Sequence, residues 1–360
     1  MEPAGGSDGS DEQVLPTVSG SVSGKGSYQL LDLGPGTAGQ KWTVTMQSVP
    51  LSAGSFTVVL FDADLDLLMR AVLSPQNSLE HVLRLDTRQV ILGVMPSYGS
   101  SGGQFGFDVR LADAGSPPAP SPQVVYLNFG AGQSVRVHRR SAISFAPFDA
   151  GLLGEMYAGR TAEIKQAIID TVREDYAPYN VFLLTSDDGA PPTDGPYATI
   201  HFGGSDSALL GLADNVDMYN SDPGQTAVVY VESFAIYQVM GLAPDEMGRM
   251  IGNVASHELG HLLGLYHTKD PDEVMDSTGS AWDLAGDQTF HRGPLEESVF
   301  ATGMENSPRL LEQTVGLRSE SAVFSSKQLD AAKRLRYKAI RDFVSGELRC
   351  RCGNCLNPDE

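Results

Sequence analysis

The segment 256–267, which reads SHELGHLLGLYH, places histidines and one glutamate at spacings that suit a metal site. His257 and His261 are four residues apart, so on a helix both imidazoles project from one face and can hold a single ion. Glu258 follows the first histidine and would lie beside the ion, where its carboxylate can take a proton from bound water. The spacing therefore predicts two metal ligands and a general base on one helix.

Gly264 predicts where that helix ends. A glycine at this position can adopt the left-handed conformation that terminates a helix and turns the chain sharply. The turn would bring His267 back to the ion as a third ligand. Three protein ligands leave a fourth position for water, as in catalytic zinc sites, and nitrogen ligands favour zinc over calcium or magnesium. We therefore expect one catalytic Zn²⁺ ion.

HELGHLLGLYH resembles the HExxHxxGxxH signature of the metzincin zinc metallopeptidases. In those enzymes a methionine-containing turn passes beneath the metal, and Met275 in the segment DEVMDS would be that residue here. The distance from His267 to Met275 is similar to that in the matrixin branch. The resemblance implies a metalloendopeptidase acting on a protein or peptide, with the substrate extended along a sheet edge between residues 209 and 232.

Two positions depart from other metzincin branches. Ser277 stands where astacins and serralysins have a tyrosine ligand, so a fifth, tyrosine ligand is not expected. Thr268 stands where archaemetzincins begin a second, four-cysteine zinc site. The resemblance also implies that the segment after Met275, residues 277–294, walls the specificity pocket. Candidate lining residues are Trp282, Phe290 and His291, although His291 suits a surface loop equally well.

The elements that must position this site alternate between strand and helix patterns over residues 124–347. Strands are expected at 124–129, 181–185, 198–202 and 227–232, and helices at 162–175, 244–263 and 327–344. Pro244 and Gly264 give the active-site helix its start and stop signals. By resemblance, this is an α+β metzincin-like catalytic domain with a twisted mixed sheet, the active-site helix and a C-terminal helix.

A different texture precedes it. Residues 17–112 show short alternating runs separated by turn residues, which predicts an all-β sandwich similar to the pre-peptidase C-terminal type of accessory domain. Its strands are expected at 28–33, 42–46, 56–61, 67–73, 82–85, 90–95 and 105–111. His81 is interpreted as a surface or packing residue. Residues 1–16 resemble a flexible tether, and the proline-rich segment 113–123, DAGSPPAPSPQ, predicts the domain boundary.

The formal net charge is -20, with 45 acidic against 25 basic residues among 360. Nucleic acids and anionic membranes would repel such a chain, so neither is expected as a partner. No run of about 18 apolar residues is present, so no transmembrane segment is expected. The acidic loop 214–222, DNVDMYNSD, offers oxygen ligands for Ca²⁺ but lacks the EF-hand spacing, so a solvated turn is the favoured interpretation over calcium binding.

The first 14 residues lack the basic and apolar regions of an intact signal peptide. We expect a secreted protein, extracellular or in the cell envelope, with a targeting sequence or lipid-anchoring cysteine originally upstream. A cytoplasmic protein with this start is the alternative.

All three cysteines, Cys350, Cys352 and Cys355, lie in the tail 348–360. The main part of the chain therefore has no disulfide framework. The tail could hold one disulfide or incidental thiols, or a thiolate could inhibit the enzyme by occupying the open zinc position.

Three functions compete on this sequence. A secreted zinc endopeptidase with Glu258 as its base is favoured. A zinc hydrolase of short peptides is the alternative enzyme. A binding or adhesion protein with a vestigial metal site is the alternative outside enzymes.

Overall fold

The computed structural model describes residues 12–47 and 54–318. The chain divides into two compact units. Of the described residues, one unit comprises 12–47, 54–119 and 300–304, and the other comprises 120–299 and 305–318. The boundary between 119 and 120 lies inside the proline-rich segment. The tether residues 1–11, the predicted helix 327–344 and the tail 348–360 lie outside the described residues.

The described residues of the first unit form nine strands, all paired antiparallel. In chain order they are β1 Gln13–Val14, β2 Val18–Ser23, β3 Gln29–Asp32, β4 Gln40–Met46, β5 Phe56–Phe61, β6 Leu67–Leu73, β7 Ser78–Val82, β8 Ile91–Pro96 and β9 Gly102–Asp113. One sheet has the order β1-β9-β4-β7 with β2 also on β9, and the other has the order β3-β8-β5-β6.

The two sheets share one apolar core. Alternate residues of β4, including Trp42 and Val44, pack with Phe105 and Phe107 of β9 and with Val58 of β5. This inward alternation is the pattern from which the sandwich was predicted, and the all-β sandwich is confirmed. Residues 300–304 also belong to this unit, which the sequence does not indicate.

Some details of this unit differ from the expectations. The strand expected at 82–85 lies at Ser78–Val82, where it pairs with β4. Gln13 and Val14, in the segment expected to be a tether, pair with β9. His81 lies in β7 and is buried, and burial, assisted by the charge of Arg84, lowers its pKa to about 4.

The second unit combines strands with helices, as expected for the α+β class. Its strands are β10 Gln123–Asn128, β11 Gly132–Val135, β12 Ile143–Phe145, β13 Val181–Thr185, β14 Ala198–Phe202, β15 Gly211–Ala213, β16 Thr226–Val229, β17 Arg292–Pro294 and β18 Met304–Asn306. Its helices are α1 Thr161–Asp175, α2 Pro244–Leu262, α3 Ala281–Leu284 and α4 Ser307–Val315, and 3₁₀ helices occur at Ala150–Leu153, Glu155–Tyr157 and Val231–Met240.

Five of these strands form a mixed sheet of order β13-β10-β14-β16-β15. The first four are parallel to one another, while β15 runs antiparallel to β16 and occupies the edge. The strand expected at 227–232 ends at Val229, because the chain turns there into the 3₁₀ helix Val231–Met240. The edge strand falls inside the segment 209–232 that the resemblance assigns to substrate.

Helices α1 and α2 pack closely because glycines line their contact. A Cβ at Gly248 would lie 2.5 Å from the Cβ of Ala167, and one at Gly252 would lie 2.6 Å from Thr171 Cβ. The α1 face carries Ile164, Ile168 and Val172, all fully buried. None of the helices in the described part of the chain has the length and apolar character needed to cross a membrane.

Candidate active site

Helix α2 is fixed at both ends. Pro244 opens it, and Glu246 accepts a hydrogen bond from the Ala243 N–H at 2.9 Å, which satisfies one free donor of the first turn. Gly264 has φ +99°, and its N–H bonds to the His261 carbonyl while the Leu265 N–H bonds to Gly260, both at 2.9 Å. These two bonds form a Schellman motif, which stops the helix and reverses the chain.

A second constraint requires glycine at position 264. A Cβ there would lie 2.8 Å from Met218 Cα and 2.9 Å from the Asp217 carbonyl oxygen. The Asp217 N–H in turn donates to the His261 carbonyl at 2.9 Å. The turn therefore needs glycine both for its backbone conformation and for the loop packed against it.

The turn brings the three histidines together. His267 Nε2 lies 3.0 Å from His257 Nε2 and 3.1 Å from His261 Nε2, and all three residues are buried. Tetrahedral zinc with Zn–N bonds of about 2.0–2.1 Å places its ligands roughly 3.3 Å apart, so a small outward shift of the rings accommodates the ion. In the described residues this is the one group of three or more His, Cys, Asp or Glu side chains close enough to share an ion.

The hydrogen bonds of two rings determine which nitrogen faces the centre. His257 Nδ1 lies 2.8 Å from the Val274 carbonyl oxygen, and His261 Nδ1 lies 2.8 Å from the Leu265 carbonyl oxygen. A carbonyl only accepts, so each Nδ1 carries the proton and each Nε2 presents a lone pair. The lone pairs of His257 and His261 thus both face His267 Nε2, at 3.0 and 3.1 Å, and a cation between the three nitrogens could be held by all of them.

The protonation state also suits metal ligands. Burial lowers the pKa of His257 to about 4 and lowers the pKa values of His261 and His267 well below the usual range, with the neighbouring imidazoles adding to the shift for these two. Neutral imidazole is the form that binds zinc. The donor set therefore fits Zn²⁺ without a further proton release.

Glu258 lies beside this cluster and is fully buried. Neither of its carboxylate oxygens accepts a hydrogen bond from the described residues, and burial raises the pKa of the carboxyl well above its usual range. A buried carboxylate without a protein partner is costly unless it faces an ion or a reactant. Its surroundings are those expected for a group that works on a bound water and substrate.

The edge strand covers Glu258 at a glycine. A Cβ at Gly211 would lie 2.4 Å from Glu258 Oε1 and 2.8 Å from its Cδ. The carboxylate therefore packs directly against the backbone of β15. No sequence pattern indicates this role of Gly211, because the contact joins residues that are distant in sequence.

Met275 packs against α2 at Gly260. It is fully buried, and a Cβ at Gly260 would be 2.4 Å from its sulfur. The Thr268 N–H donates to the Met275 carbonyl at 2.9 Å, so this turn is tied to the residue after His267. The same turn supplies the Val274 carbonyl that orients His257.

Glu273 joins the pieces around this turn and was missed at the sequence level. It is fully buried, and its carboxylate accepts hydrogen bonds from the Met275 N–H, from Thr268 Oγ1 at 3.3 Å and from Ser307 Oγ at 2.7 Å. Burial raises the pKa of Glu273 to about 7, against the lowering effect of Ser307 and Met275. Its position two residues before Met275 was the available signal.

The end of α1 holds α2 just before the first histidine. The Tyr176 hydroxyl donates to the Ser256 carbonyl at 2.8 Å, and Ser256 Oγ donates to the Asp175 carboxylate. Burial raises the pKa of Asp175 to about 8, although the bond from Ser256 opposes the shift. His257 is thus anchored from the residue that precedes it.

A sequence model of one family matches this chain. It is that of the matrixins, a branch of the metzincin peptidases, and it spans residues 164–286, from α1 through the histidines to α3. The chain carries a matrixin peptidase domain. Matrixins are zinc metalloendopeptidases, so the expected enzyme class is confirmed. The matrixin domain and the preceding β sandwich also confirm the two-part fold class.

Comparison with curated proteins finds no match. Among solved structures, archaemetzincin from Methanopyrus kandleri is 15% identical over 48% of this chain and 89% of its own, with a TM-score of 0.27. PliG, a periplasmic inhibitor of g-type lysozyme from Aeromonas hydrophila, is 14% identical over 31% of this chain and 92% of its own, with a TM-score of 0.21. At these TM-scores the matches carry no functional argument.

The three residues predicted to line the specificity pocket have surroundings that differ from one another. Phe290 packs edge-to-face on Tyr176 and Tyr179, with ring centroids 5.0 and 6.3 Å apart. His291 Nε2 pairs with Asp270 at 3.1 Å. Trp282 is partly buried against the domain core. Phe290 is thus engaged with the end of α1, and His291 with the loop that follows the third histidine.

The acidic loop of the matrixin domain uses its carboxylates as turn supports. Asp217 accepts hydrogen bonds from Ser221 Oγ and the Asp222 N–H, and Asp214 accepts from the N–H groups of His138 and Thr226. These bonds hold the loop against the reversal at Gly264.

Proposed function

We propose that this protein is a secreted zinc endopeptidase, with zinc held by His257, His261 and His267 and with Glu258 as the general base. The observation that carries the proposal is the convergence of three Nε2 atoms next to a buried carboxylate that has no hydrogen-bond partner among the described residues. When bound there, zinc supplies Lewis-acid chemistry, which polarises a carbonyl and makes water more acidic.

The chain's own groups account for the remaining requirements. Glu258 accepts the proton of the attacking water and delivers it to the departing amine. The carbonyls of Val274 and Leu265 hold two imidazoles in the tautomer that binds metal. Met275 lies beneath the ligand-bearing helix, and Glu273 holds that turn in place.

Strand β15 provides the surface for the substrate backbone. The Tyr230 N–H donates to the Leu210 carbonyl, and the Asp214 N–H donates to the Thr226 carbonyl. Leu210 and Asp214, which flank β15, therefore direct their polar groups toward β16. Strand groups alternate, so the N–H and C=O of Gly211 and Ala213 point to the opposite side. Within the described residues β15 pairs with β16 alone, and an extended peptide can add there as a further strand.

Metal analysis and cleavage assays test this function together. We expect about one zinc per chain and hydrolysis of an unfolded protein at internal bonds, with much slower hydrolysis of di- and tripeptides. Cleavage of short peptides alone would indicate the other hydrolase, and bound zinc without turnover would indicate a binding protein. Recovery of the chain from the native host's cytoplasm, instead of its medium or envelope, would contradict secretion.

Gly211→Ala is expected to lower kcat by about 10–100-fold, because the new methyl group displaces the Glu258 carboxylate and misplacement of about 1 Å can cost 100-fold. Zinc content should stay at the wild-type value, since no ligand is touched. The matched control is Gly224→Ala, where the added Cβ lies 3.4 Å from its nearest neighbour, Asp222 Oδ1. Steady-state kinetics would show the contrast, and equal kcat values for the two variants would argue against this role of Gly211.

A further inference from the structure

One segment of this acidic chain contains basic residues and no acidic ones. Residues 114–148 contain no Asp or Glu, although the whole chain has 45 of them. Within this run, Arg136, Arg139 and Arg140 lie within five positions of one another, together with His138. We refer to Arg136, Arg139 and Arg140 as the arginine cluster.

The arginine cluster is exposed and held at a fixed place. All three arginines are exposed, whereas Val137 between them is buried with Leu209 and Leu212 of the edge-strand region. Across residues 12–47 and 54–318, no ion pair joins any of the three to an acidic side chain. Their charges therefore face solvent from a well-packed base.

His138 attaches the cluster to the end of the edge strand. Its N–H donates to Asp214 Oδ1 at 2.6 Å, and its Nδ1 lies 2.8 Å from the Asp214 carbonyl oxygen. Asp214 directly follows β15, which ends at Ala213. His138 has φ +52°, a conformation that a non-glycine residue keeps only when its contacts hold it there.

The acidic groups near this point are occupied. The second oxygen of Asp214 accepts the Thr226 N–H at 2.7 Å, and Asp206 accepts the N–H groups of Ala208 and Leu209. These carboxylates thus accept backbone donors, and among the described residues neither forms an ion pair with the arginine cluster.

The buried residue Tyr230 connects the base of the cluster with the surroundings of Glu258. Tyr230 belongs to the same buried group as Val137, and burial raises the pKa of its hydroxyl to about 12. The charges of Asp206 and Glu258 add to that shift, whereas Arg140 opposes it. The Tyr230 ring is therefore close enough to both Arg140 and Glu258 for their charges to act on its hydroxyl.

We propose that the arginine cluster binds acidic side chains of the peptide substrate and makes this enzyme prefer acidic sequences around the cleaved bond. The inference rests on the proposed function, because the substrate must lie along β15. A peptide is favoured over a nucleic acid because the cluster flanks the edge strand β15, whose outward N–H and C=O groups suit a peptide backbone.

The test uses two peptides that differ only in Glu against Gln at the positions flanking the scissile bond. Each exposed charge pair contributes a factor of roughly 2–5, so wild type should show a kcat/KM about 10-fold higher for the Glu peptide at low salt. The Arg139→Gln/Arg140→Gln variant should bring that ratio close to 1. Salt near 0.5 M should reduce the wild-type ratio in the same direction.

The matched control is Arg160→Gln/Arg173→Gln, which removes two exposed arginines, one just before α1 and one within it, and the same net charge. It should keep the wild-type ratio. A wild-type ratio near 1, or an equal fall in the control, would overturn the proposal while cleavage of the Gln peptide still supported the endopeptidase. Failure to cleave either peptide would contradict the proposed function itself. If a single-stranded oligonucleotide inhibits cleavage of the Gln peptide as strongly as added Glu peptide does, the cluster is a general anion site and the proposal is wrong.

Discussion

Glu258→Gln is expected to reduce kcat by about 10²–10⁴-fold while one zinc per chain remains bound. Glutamine keeps the shape of the side chain but cannot accept the proton of the attacking water, and a general base contributes a factor of this size. The three ligands are untouched, so metal content should not change. Steady-state kinetics on an unfolded protein, with zinc measured on the same sample, gives both values.

A control glutamate separates this effect from a loss of charge. Glu163→Gln removes an exposed carboxylate that pairs with Arg160 on α1, and should leave kcat near the wild-type value. Glu258→Ala should be at least as inactive as Glu258→Gln. If turnover survives either Glu258 substitution, another group takes the proton and the assigned base is wrong.

The elements that local pattern defines were predictable. The strands at 56–61, 67–73, 181–185 and 198–202 have the bounds expected from the sequence, and helix α2 begins at Pro244 as expected. In each case apolar periodicity and a nearby proline or turn residue agree. The ligand-bearing helix and its reversal at Gly264 belong to this class because a glycine-dependent Schellman motif is a local structure.

Elements whose position depends on their pairing or packing partners were predicted less well from the sequence. Strand β7 lies outside its expected position. Its register is set by its pairing with β4, and its own apolar residues do not set it. Helix α4 was missed although local signals were present. Asn306 caps it by accepting the Arg309 N–H, and proline occupies its first turn.

The site divides in the same way. The ligand and base positions follow from spacing along one helix, whereas Gly211 and Glu273 acquire their importance from contacts that only the folded chain makes. The arginine cluster has a local signal, a run without acidic residues, but its place beside β15 depends on the tertiary contact between His138 and Asp214.

His267→Ala is expected to lower zinc affinity by more than about 100-fold and to abolish turnover. Substitutions in the layer behind metal ligands already cost about 10–100-fold in affinity, so loss of a ligand should exceed that range. Bound zinc also stabilises the folded state, by about 2.7 kcal/mol at a free concentration 100 times the Kd. For a domain of this size that corresponds to a shift in Tm of roughly 5–11 °C.

The linkage between zinc and stability supplies the decisive comparison for a three-ligand site. Adding a chelator should lower the Tm of the wild type but hardly change that of His267→Ala, whose zinc is already weakly held. His291→Ala is the matched control, because this histidine pairs with Asp270 outside the cluster and should retain both zinc and the chelator-dependent shift. If His267→Ala binds zinc as tightly as wild type, then His257 and His261 suffice to hold the ion. In that case the reversal at Gly264 does not serve metal binding.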